Sequence, residues 1–132
     1  MSPSESENPT ELELEILKVL WKKSPLPVRD VRAGLEAEAG RTLAHTTVIT
    51  MLNIMHRKGF LKRQKVGNAF LFSPKEQKDT VAGKMTGDLL SRVFDGSPSA
   101  MVLNLIETAD VDSDELAEIR RMINRKSKEQ QK

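Results

Sequence analysis

The sequence predicts a mainly α-helical chain with one small β-hairpin, on three observations. Residues Thr46 to Gly59 read as a helix with a basic end, closed by a glycine. Lys62-Arg63-Gln64-Lys65, Gly67-Asn68 and Ala69-Phe70-Leu71-Phe72 follow as a basic strand, a tight turn and an apolar strand. On either side of this block, apolar residues recur at helical spacing.

Taken in order, Met1-Ser2-Pro3-Ser4-Glu5-Ser6-Glu7-Asn8 is acidic and polar, which does not suit a secretory signal, so residues 1–8 read as a disordered tail. Thr10 and Glu13 form a Thr-x-x-Glu capping box behind Pro9. Leu12, Ile16 and Leu20 then make one stripe, widened by Leu17, Val19 and Trp21, and Pro25 and Pro27 end the helix. A second helix runs from about Val28 through Val31 and Leu35 to a stop at Gly40. The third takes Thr46 as its N-cap. Its Val48, Leu52 and Met55 face the core, whereas Thr47, Thr50, Ile54 and Arg57 lie opposite, with Thr46 and Asn53 at the edge. Three helices and a hairpin within residues 9–74 make a winged helix-turn-helix domain.

Residues 75–128 read as an all-helical region. Val81, Met85, Leu89 and Val93 mark one helix, weakened by Gly83 and Gly87 at about 1 kcal/mol each relative to Ala. Asp95-Gly96-Ser97-Pro98 breaks the chain. Ala100-Met101-Val102-Leu103-Asn104-Leu105-Ile106 is then apolar on nearly every side. The last helix opens at Asp112 with Glu115 as a second capping box, and carries Leu116, Ile119 and Ile123. A helix that is hydrophobic all round has to be buried, and two flanking helices cannot cover it. A second copy of the chain would, so Met101, Val102, Leu103, Leu105, Ile106, Leu116, Ile119 and Ile123 are expected at a homodimer interface, and residues 129–132 form a short tail.

Charge points to the partner. Residues 41–78 hold eight Lys/Arg against one acid, Glu76, giving +7, while residues 1–40 carry −3 and residues 79–132 carry −2. The net +2 of the 132-residue chain therefore hides a basic middle that attracts a polyanion. The third helix has hydroxyls and an amide but no carboxylate, which suits base edges and phosphates in a DNA groove. Thr46, Thr47, Thr50 and Asn53 are expected to read bases. Arg57, Lys58, Lys62, Arg63 and Lys65 are expected to hold phosphates, with Gly67 and Asn68 at the wing tip. Ile54 does not fit this face. An apolar contact there would instead suit a winged-helix module that binds protein, a reading that leaves the basic wing without a purpose.

Other classes are disfavoured. The chain has no cysteine, which removes disulfides and thiol chemistry and fits a cytoplasmic location. No apolar run approaches the roughly 20 residues of a membrane span. His45 and His56, the only histidines, are about 16 Å apart along a helix and cannot share a metal ion. No catalytic triad spacing, phosphate loop or HExxH is present, so no catalytic residue, metal or cofactor is expected.

Glu13-Leu14-Glu15-Ile16-Leu17-Lys18-Val19-Leu20-Trp21, Thr46-Thr47-Val48-x-Thr50-Met51-Leu52 and Lys58-Gly59-Phe60-Leu61 resemble the penicillinase-repressor family of bacteria. Phe94-x-Gly96 and Met101-Val102-Leu103-Asn104 resemble its dimerisation region, so the match runs from residue 10 to about residue 125. Members are dimeric winged-helix repressors of β-lactamase and methicillin-resistance genes, with copper-responsive relatives. The resemblance implies double-stranded operator DNA as partner, and puts Thr46, Thr47 and Thr50 on the DNA-facing side. In β-lactam-responsive members a membrane sensor triggers cleavage at an Asn-Phe bond. The matching bond here is Asn104-Leu105, with leucine in place of the aromatic. Ile54 stands where relatives commonly place an arginine. The C-terminal cysteine cluster of the copper-responsive members is absent, and soft Cu(I) has no suitable ligand set without it.

Overall fold

The computed structural model describes residues 8–131, so all but the last residue of the expected N-terminal tail lies outside the described residues. In chain order the elements are α1 (Glu11–Lys22), β1 (Leu26–Pro27), α2 (Val28–Ala39), α3 (His45–Lys58), β2 (Leu61–Val66), β3 (Ala69–Pro74), α4 (Lys78–Val93), α5 (Pro98–Thr108) and α6 (Ser113–Gln130). The boundary between two compact units falls between Thr86 and Gly87, inside α4.

In the first unit α1 begins at the capping box read from the sequence. Glu13 N donates to Thr10 Oγ1 at 3.3 Å, and Thr10 N donates to Glu13 Oε1 at 2.8 Å. The α1 stripe buries Ile16, Leu17 and Leu20 against Val31 and Leu35 of α2 and Val48, Leu52 and Met55 of α3. Each such side chain contributes about 1.5–3 kcal/mol by leaving water. Gly34 lets α1 and α2 approach: a Cβ there would lie 2.6 Å from Val19 Cγ1.

Three features differ from the sequence reading. The sheet has three strands in the order β1-β3-β2, because Leu26 pairs with Phe72 and Pro27 with Leu71. Pro27 therefore does more than end a helix. It closes β1 and serves as the N-cap residue of α2, where its fixed φ and missing N–H are tolerated. Secondly, α3 starts one residue early, at His45, with Ala44 as an N-cap that makes no side-chain hydrogen bond. Thr46 is thus within the first turn and not a cap. Thirdly, α6 continues to Gln130 and α4 starts only at Lys78, after Trp21 Nε1 has tied Glu76 O to α1 at 2.9 Å.

In the second unit Asp112 caps α6 by accepting Glu115 N at 2.9 Å, and Ser97 Oγ accepts Ala100 N at the start of α5. Neither α5 nor α6 buries a single residue within the chain. Leu103 is 57% and Leu105 55% exposed, where a completed core would leave almost nothing. No helix among the described residues is long and apolar enough to cross a membrane.

Candidate nucleic-acid interface

Helix α3 is stopped by Gly59, whose φ of 90° suits a residue without a Cβ, and the chain passes directly into the hairpin. Two ion pairs to α1 tie down the end of the helix and the loop ahead of it. At its C-terminal end, Lys58 Nζ lies 2.9 Å from Oε2 of Glu13, a carboxylate only 1% exposed. Just ahead of it, Arg41 Nε donates to Glu15 Oε1 at 2.5 Å, and Glu15 with Glu11 holds that guanidinium above its ordinary pKa. Arg32 Nε donates to Leu43 O at 2.7 Å and pins the loop that leads into α3. Two cations of the basic segment are therefore structural. Lys58, read from the sequence as a phosphate ligand, has its ammonium committed to the core side of the domain.

His45, Thr46, Thr47, Thr50 and Arg57 form the exposed face of α3, while Asn53 and Ile54 are half-buried. Part of the apolar surface at Ile54 is thus covered by the fold. Thr50 Oγ1 donates its proton to Thr46 O at 2.9 Å, which leaves the methyl and a lone pair for an outside partner.

The wing follows strand alternation about the two-residue turn Gly67-Asn68. Arg63 pairs with Phe72 and Lys65 with Phe70, so these two cations share the face that carries buried Phe72. Lys62 and Gln64, opposite Ser73 and Leu71, lie on the other face. Arg63 Nη1 donates to Asn53 Oδ1 at 3.2 Å, and its Cζ stands 4.7 Å above the Phe70 ring. Among the described residues, Arg57, Lys62 and Lys65 are all exposed and in no ion pair. No group of three His, Cys, Asp or Glu there is placed to hold a metal ion.

The model of the penicillinase repressor family matches residues 9–125. The chain belongs to that family. Its members are transcription regulators of winged-helix fold, as the resemblance in the sequence implied. Similar members include a penicillinase repressor of Bacillus licheniformis, 29% identical over 83% of this chain and 84% of that one. The transcriptional regulator BlaI of Mycobacterium tuberculosis is 30% identical over 86% and 80%. The solved complex structure of hsRosR-S4, at 15% identity and a TM-score of 0.51 over 94% of both chains, shares the fold.

The sequence-read residues of this family member fall in two places. Thr46, Thr47, Thr50, Asn53, Arg57, Lys62, Arg63 and Lys65 gather on α3 and the wing, with Gly67 and Asn68 at the turn. Met101, Val102, Leu103, Leu105 and Ile106 lie on α5, and Leu116, Ile119 and Ile123 on α6. Met101 and Ile119 are half-buried and the other six exposed. Phe70 and Glu13 were not singled out as functional. Counting back from Gly67-Asn68 puts Phe70 opposite Lys65 and on the same strand face as Arg63, but no sequence signal joins Glu13 to a lysine 45 residues away.

Proposed function

We propose that the chain is a cytoplasmic transcriptional repressor that occupies a palindromic DNA operator as a homodimer. The carrying observation is an exposed, carboxylate-free face of α3 set beside a wing whose lysines have no counter-ion among the described residues. Arg57, Lys62 and Lys65 hold phosphates and set the register. Thr46, Thr47, Thr50 and Asn53 meet the bases. Lys58 acts at one remove, by holding the end of α3 against α1.

Binding of the purified protein to duplex DNA, titrated at low and moderate salt, tests the reading, and footprinting on its own upstream region locates the operator. The Lys62→Ala/Lys65→Ala pair should weaken binding to operator and random duplexes alike. The slope of log K against log salt should fall in magnitude by about 1.8, or 0.9 per lost phosphate contact. An unchanged slope would remove the wing from the backbone.

Thr47→Ala or Thr50→Ala should cost about 1–3 kcal/mol on the operator and little on random DNA. Because the Thr50 hydroxyl proton is already donated within the helix, its methyl carries more of the contact. Thr50→Val should therefore lose less than Thr50→Ala in a titration of the operator. Equal losses would show that the methyl makes no contact.

Induction we assign to cleavage of Asn104-Leu105, triggered through a membrane sensor and protease pathway. The bond lies inside α5, where Thr108 Oγ1 donates to Asn104 O at 2.7 Å, so cutting needs the helix to open locally. A cut there separates α6 from the rest of the interface and weakens the dimer. Blotting extracts of the source cells with and without a β-lactam should show a fragment ending near Asn104. Full-length protein alongside an induced target gene would assign release to another signal.

A further inference from the structure

We propose that Ile54 is a specificity-determining residue that selects thymine in the operator through the 5-methyl group, an inference that rests on the DNA-binding reading above. The residue stands on α3 with Thr50 one turn before it and Thr47 two turns before it. At about 100° per residue its side chain leaves the helix between those two threonines. That is the half turned away from the buried Val48, Leu52 and Met55. Thr47, Thr50 and Arg57 around it are exposed, so the part of Ile54 that the fold leaves uncovered opens onto the same side.

An aliphatic side chain has neither a donor nor an acceptor. The thymine 5-methyl is the one apolar group among the marks that distinguish base pairs in a major groove. Set against any of the others, Ile54 would take a polar base edge out of water and give it no hydrogen bond in return. Against the methyl it loses nothing and buries apolar surface on both sides.

Thr50 extends the contact. A hydroxyl has one proton to give, and that of Thr50 goes to Thr46 O at 2.9 Å. The Thr50 methyl and the Ile54 side chain, neighbours on successive turns, then make an apolar step on a helix that carries no carboxylate. The isoleucine that is out of place on a face of hydrogen-bonding side chains thus has a base-specific partner.

Selection from randomised duplexes by the full-length protein, followed by replacing each thymine of one half-site in turn with deoxyuridine, tests this. Deoxyuridine pairs as thymine does and lacks only the methyl. In the wild type at least one replacement should weaken binding by about fourfold, the worth of one methyl-sized group leaving water. In Ile54→Ala that penalty should vanish at the same position and persist at any other thymine that shows one. Ile54→Val, which keeps a branched side chain on the helix, should retain part of it. Each penalty is a ratio within one variant, so a general loss of affinity or stability cancels. With cytosine at the Ile54 position, methylation at C5 should improve binding by the wild type and leave Ile54→Ala unmoved. Deoxyuridine penalties that are the same in wild type and Ile54→Ala would make Ile54 a packing or backbone contact and overturn the inference. So would a selected site with no penalty at any thymine. A wild type that enriches no sequence at all would instead overturn the DNA-binding reading, and this one with it.

Discussion

Lys58→Ala is expected to lower the stability of the helix-and-wing unit by about 3–5 kcal/mol. The Glu13 carboxylate is 1% exposed, and its two oxygens have two distinct partners: Thr10 N on Oε1 and Lys58 Nζ on Oε2. Deleting the ammonium leaves a charge out of water with one backbone hydrogen bond to satisfy it. A capping interaction alone is worth about 0.5–2 kcal/mol, so the uncompensated charge is the larger effect. Against a typical total of about 5–15 kcal/mol, the loss is a large fraction of all stability. Urea unfolding should show a lower midpoint with an unchanged slope. Glu13→Gln added to Lys58→Ala should recover part of the loss, because a neutral amide costs less to bury than a lone carboxylate. A single-variant loss below about 1 kcal/mol would place the pair with ordinary surface ion pairs.

The second large effect is on assembly. Val102→Asp or Leu103→Asp should convert dimers to monomers in sedimentation, while the isolated segment 9–74 keeps its helical signal. Within one chain these side chains are exposed, so a carboxylate there costs a monomer little. At a two-chain interface it is buried without a partner, at several kcal/mol. DNA affinity should fall by about 10²–10⁴, the advantage lost when two linked half-site contacts become one. Variants that stay dimeric at micromolar concentration would move the interface away from residues 100–106.

Local signals made most of the first unit legible. The Thr10–Glu13 box, the α1 stripe, Gly40 and Gly59 each act within a turn or two of chain, and the structure has all four. The start of α3 differs by one residue because Thr46 has the side chain of a cap, whereas His45 already has helical geometry behind Ala44. Strand β1 is not legible in the sequence because two residues carry no alternation. It exists only because β3 offers Leu26 and Pro27 a free edge.

What the sequence by itself determined are the features that depend on neighbours in the chain. These are helix and turn positions, the apolar stripes, the basic middle segment and the membership of Thr46, Thr47, Thr50 and Asn53 in one helix. Tertiary structure alone decided which cations are spent internally. Eight basic residues stand in the segment, yet Arg41 is taken by Glu15 and Lys58 by Glu13. Those partners lie 26 and 45 residues away. Charge is additive along a sequence, but whether a charge faces solvent or a buried carboxylate depends on how helices pack, and composition carries no record of that.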